Sequence, residues 1–113
     1  MKLLTKEIEK RFLKYPLYSQ DGKGFDARVI AYFFSPSCFG TWLITEASKN
    51  EQGDWIMFGY CQGFQGQWEW GYVSLNELSS VRTKPLGLPI EREMYYNGKS
   101  TVAEILREKG VRR

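Results

Sequence analysis

The chain has 113 residues, 42% of them hydrophobic, 26% charged and 16% aromatic, the proportions of one ordinary globular domain spanning 1–113. Its longest apolar run, Val29 to Phe34, is far below the ~18 residues a membrane-crossing helix needs, so no membrane partner is expected. The sequence contains no histidine, which removes the commonest general base, the usual zinc and iron ligands and any Ser-His or Cys-His nucleophile pair.

The net charge of +3 is unevenly spread. Residues 1–14 carry Lys2, Lys6, Lys10, Arg11 and Lys14 against Glu7 and Glu9, and residues 99–113 are similarly basic, so the middle is acidic. Basic ends would make a polyanion-binding face if they came together, although solvated helix surfaces explain them as well. Cys38 and Cys61, without histidine, cannot complete a zinc tetrad and read as reduced structural thiols. No metal, cofactor or catalytic residue is expected.

In chain order, Thr5 is placed to cap a helix running to about Lys14, with Leu4, Ile8 and Phe12 as an apolar stripe and Pro16 as the stop. Leu17 to Asp26 (LYSQDGKGFD) reads as a loop; it lacks the GxxxxGK[ST] order of a phosphate cradle. Strands are expected at Arg28–Phe34 and Thr41–Glu46, with Ala47–Gly53 as a polar connection. Trp55 to Leu75 then reads as an aromatic hairpin around a Gly/Gln turn. Alternation puts Trp55, Met57, Gly59 and Cys61 on one face of its first strand, and Trp68, Trp70 and Tyr72 on one face of its second. Both sets being apolar, either the strands are covered on both sides or an aromatic face meets a partner. Gly59 and Gly71 suggest a bulge or a close backbone approach.

Ser74-Leu75-Asn76-Glu77 has the spacing of a capping box opening a short helix to about Ser80. The Pro85–Pro89 stretch is too proline-rich for regular structure, and Leu86, Leu88 and Ile90 are expected to pack on the body. Asn97-Gly98 signals a turn. Thr101–Glu104 is a second capping box for a helix over 101–109, with Gly110 as its stop and a tail over 110–113. The fold class is α+β: a four-stranded antiparallel meander sheet with the N- and C-terminal helices packed on it.

Carboxylate-only catalysis would centre on Glu69 among the tryptophans, but Glu91 and Glu93 flank Arg92 and no nucleophile pair exists, so the protein reads as a non-enzyme. Aromatic rings on a sheet beside cations stack on bases and meet phosphates. On that reading Trp55, Trp68, Trp70 and Tyr72 form the platform, with Arg82, Lys84, Arg92, Tyr95 and Tyr96 beside it. The same rings would equally serve a protein-binding hot spot, or be core.

The phrases KLLTKEIEKRF, LYSQDGKG, GYVSLNEL and PLGLPIERE followed by Tyr95-Tyr96 together resemble a family of small bacterial domains of unknown function carried on plasmids and integrative conjugative elements. GLPIER is the most specific of them, and the resemblance spans residues 2–96. It implies a cytoplasmic accessory protein of mobile DNA, with no functional residues to carry over; the charged start, MKLLTKEIEK, likewise leaves no room for a signal-peptide core. Resemblance and residues together lead to a non-enzymatic binding module for nucleic acid or a nucleic-acid-handling complex. The competing expectation is a protein-interaction or inhibitory module directed at a host or element-encoded protein. Oligomeric state is not legible.

Overall fold

In the computed structural model, which describes residues 2–37 and 39–111, the three helices begin where the caps place them. Helix α1 (Lys6–Lys14) starts at Thr5, whose hydroxyl accepts from the Ile8 N–H at 3.1 Å. Ile8 and Phe12, four apart, are its buried stripe. Helix α2 (Leu75–Ser80) starts at Ser74, whose hydroxyl accepts from the Glu77 N–H, while the Asp54 carboxylate accepts from the Ser74 hydroxyl and the Asn76 N–H. Helix α3 (Val102–Lys109) has both bonds of a capping box between Thr101 and Glu104, and Gly110 ends it at φ 74°.

Strands β1 (Ala31–Phe34), β2 (Thr41–Lys49), β3 (Trp55–Gln62) and β4 (Trp68–Ser74) form the expected antiparallel meander. The sheet nevertheless has five strands. After a two-stranded ribbon of β5 (Arg82–Thr83) and β6 (Leu88–Pro89), β7 (Glu91–Arg92) pairs antiparallel with β1, giving the order β4-β3-β2-β1-β7. The Pro85–Pro89 stretch is therefore partly regular: Gly87, at φ 66°, closes the ribbon with an N–H bond to the Thr83 carbonyl. Leu86 sits at its tip and is 75% exposed, contrary to expectation, whereas Ile90 is buried. Strand β1 is shorter than expected, Arg28 making only an isolated bridge to Thr101. Strand β2 is longer, since Ala47, Ser48 and Lys49 still pair with β3.

Between Ile44 and Glu46 the β2–β3 register shifts, leaving Thr45 as an extra residue. The shift reverses the alternation, so that Ala47 joins Trp42 and Ile44 in one cluster. Glu46 turns instead to the opposite face, opposite Phe58. Gly59 is required here: a Cβ on it would lie 2.0 Å from the Leu43 carbonyl oxygen.

Both faces of the sheet are covered. On one side, Ile8 and Phe12 of α1 and Leu75 and Leu78 of α2 pack on Phe33, Trp42, Ile44, Trp55 and Met57. On the other, Val102, Ile105 and Leu106 of α3 pack on Val29 and Leu43, with half-buried Phe25, Tyr60, Trp68 and Trp70 around them. Each large apolar side chain fully enclosed this way contributes about 1.5–3 kcal/mol. The basic helices α1 and α3 therefore lie on opposite sides of the sheet.

Candidate functional site

Strand β4 is one edge of the sheet, and its rings share a face with those of β3 because Trp70 stands opposite Tyr60 and Tyr72 opposite Phe58. The rings form a ladder. Tyr60 stacks on Trp68 at 5.3 Å and contacts Trp70 at 5.0 Å; Phe58 lies parallel to Trp70 at 5.8 Å and against Tyr72 at 4.9 Å. Phe25, from the short 3-10 turn Gly24–Asp26, closes one flank, edge-on to Tyr60 at 5.1 Å. Trp68 and Trp70 pack half-buried against the cluster that holds α3, and Tyr72, further along the strand, is 58% exposed. Gly71 has open space where a Cβ would stand.

Beside the ladder, the 17–26 loop is held by two buried side chains. Glu46 accepts from the Tyr18 N–H at 2.9 Å with one carboxylate oxygen and from the Gln20 N–H at 2.8 Å with the other. The Gln20 amide in turn donates to the carbonyls of Arg28 and Thr45 and accepts from the Arg28 N–H. Tyr18 is held at φ 75°, a left-handed conformation that costs a non-glycine residue of order 1 kcal/mol. Its exposed side chain lies beside Tyr72 and is the main cause that raises the Tyr72 pKa above the ordinary tyrosine value. Between loop and ladder lies a cavity of about 300 Å³, lined by Asp21, Gly22, Gly24, Glu46, Phe58 and Trp70 among others.

The remaining sequence candidates lie elsewhere. Trp55 is core, 5% exposed and 5.0 Å from Phe12, because its strand parity points it under α1. Arg82 donates to the carbonyls of Ser79 and Val81 at the end of α2, and with Lys84, Val81 and Phe64 it lines a separate cleft of about 320 Å³. Arg92 pairs opposite Phe33, on the α1 side, and donates to the Lys2 carbonyl at 2.5 Å. Tyr95 is 93% exposed. The Tyr96 hydroxyl donates to the Val29 and Ser100 carbonyls, and burial pushes its pKa up to about 12. Arg92 and Tyr96 share with Arg11 a cleft of about 230 Å³, where burial lowers the Arg11 pKa. Of the nine candidates, Trp55 is thus core, Trp68, Trp70 and Tyr72 share the β4 edge, Tyr96 packs against the α3 cluster and Tyr95 is exposed, while Arg82, Lys84 and Arg92 lie apart from the β4 rings.

Glu69 faces away from the tryptophans, exposed and paired opposite Cys61. Burial, with the Glu69 charge second, raises the Cys61 thiol to about 12, so the free thiol stays protonated and inert at neutral pH. Cys38 lies outside the described residues. Phe58 and Tyr60, on the strand face opposite Trp55 and Met57, were not among the sequence candidates. Sequence reasoning missed Glu46 altogether, because strict alternation puts that residue on the other side.

The profile of a family described as Protein of unknown function (DUF2958) matches residues 3–110. The chain belongs to this family. In this DUF2958 domain the match takes in every element from α1 to α3. No curated protein and no solved structure matches the chain. No helix among the described residues is long and apolar enough to cross a membrane.

Proposed function

We propose that this protein is a non-enzymatic protein-binding module, a cytoplasmic accessory protein of a bacterial mobile element, that takes an extended segment of a partner protein along β4. The observation that carries the reading is the contrast between the two edges of the sheet. Strand β7 has two residues, both charged, and follows Pro89, features that discourage strand addition. Strand β4 has seven residues, no lysine, arginine or proline and no register shift against β3, and it bears the half-open ladder. An edge of this kind offers a row of main-chain hydrogen-bonding groups for affinity and aromatic pockets for specificity. The mobile-element and cytoplasmic setting rests on the resemblance carried by GLPIER and its companion phrases.

A second reading keeps nucleic acid as the partner. Lys2 and Arg82 line one cleft of about 340 Å³, and Arg92 bonds the Lys2 carbonyl, so these three cations gather on the α1 side, away from the ladder. That arrangement suits phosphate contacts and not base stacking.

Tyr72→Lys introduces an edge-guarding charge at an exposed position. With nuclease-treated host lysate, the protein-binding reading expects a stoichiometric partner that survives nuclease and is lost by this variant. A partner lost with the nucleic acid, together with oligonucleotide binding at low salt that Arg82→Ala and Arg92→Ala weaken, would favour the second reading.

A further inference from the structure

The cavity between the 17–26 loop and the ladder has a chemistry of its own. Two of its walls are the nearly parallel rings of Phe58 and Trp70, 14° apart. Its acidic groups are Asp21, exposed on the loop, and the buried Glu46 carboxylate. No lysine or arginine is among its lining residues. Gly22 and Gly24, both at positive φ and with nothing within 4 Å of a would-be Cβ, leave the loop side open. Backbone N–H groups partner both Glu46 oxygens but do not cancel the charge, and a carboxylate beside low-dielectric aromatic walls concentrates negative potential in the cavity. Aromatic faces with carboxylates around a space of this size recognise a planar or compact organic cation.

We infer that this cavity receives an arginine side chain of the protein partner, its guanidinium against Trp70 and its charge facing Asp21 and Glu46. The inference rests on the reading of β4 as the docking edge and narrows it: the partner segment is basic, with one arginine able to reach past β4 into the cavity. The acidic character of the middle of the chain, in a protein of net positive charge, fits such a partner.

The test is titration of the intact protein with N-acetyl-arginine amide at constant ionic strength, following the Trp70 indole and the Gly22 and Gly24 amides by NMR. The uncharged isostere N-acetyl-citrulline amide serves as the comparison. The expected result is saturable shifts at these three positions, about tenfold weaker for citrulline, and weakened several-fold by Asp21→Asn, which removes an exposed charge and leaves the fold intact. Absence of saturation, or equal binding of the two probes, overturns the cation site while leaving β4 docking to stand on its own. If the probe binds as expected but Tyr72→Lys does not impair partner capture, docking on β4 fails and the cation site survives.

Discussion

Two glycines in one hairpin meet opposite surroundings. At Gly59 the neighbouring strand's backbone occupies the space of a side chain, and backbone cannot yield as a flexible side chain can. Gly59→Ala is therefore expected to destabilise the protein by about 3 kcal/mol in urea denaturation, while Gly71→Ala, facing open space, stays within about 1 kcal/mol of the parent. Equal effects would contradict the close approach at Gly59. Tyr96 makes a second residue-scale prediction. Burial raises its pKa to about 12, against about 10 in an unfolded chain, so the unfolded state releases its proton first as pH rises. The stabilisation is complete below about pH 10 and is lost between about pH 10 and 12. Denaturation midpoints should fall over that range, and the fall should be shallower in Tyr96→Phe, which keeps the contributions of the same sign from Cys61 and Tyr72. An unchanged slope would remove Tyr96 from the account.

At the scale of elements, the α3 cap is the most local device in the fold. Thr101→Ala removes the acceptor for the Glu104 N–H and half of the reciprocal box, and should cost about 1 kcal/mol, read as a shift in thermal midpoint. The α1 and α3 boundaries were legible for the same reason, since each has a cap and a stop in the sequence, and the start of α2 was legible from Ser74. The β5–β6 ribbon and β7 were not, because two-residue strands carry no period, and the pairing of Phe33 with Arg92 joins segments far apart in the chain. The bulge at Thr45 was also hidden, and it placed Glu46 on the ladder face and Ala47 in the core. The 17–26 loop depends on that change of side. Glu46→Ala leaves two loop N–H groups without their acceptor and is expected to cost about 2–4 kcal/mol, with faster hydrogen exchange at Tyr18 and Gln20.

Across the whole molecule, nearness in sequence and nearness in space part company at α2. The helix carries the chain from β4 to the α1 side, so Arg82 and Lys84, close in sequence to Trp70 and Tyr72, end on a different surface. Trp68, Trp70 and Tyr72 were legible as one face because strand alternation is local. Trp55 was misplaced because the sequence does not say which parity lies under a helix. What emerges is a sheet covered on both sides over its centre and open along the outer edge of β4, with Arg82, Lys84 and Arg92 away from the ladder, an arrangement that favours a protein partner over stacked bases. The most direct measurement is photo-crosslinking in the host cell from a benzophenone amino acid placed at position 72 on the β4 edge or at position 84 beside the cationic cleft. Protein adducts from position 72 and few or none from position 84 are predicted. Adducts confined to position 84, or cross-links to nucleic acid from either position, would contradict recognition at the β4 edge.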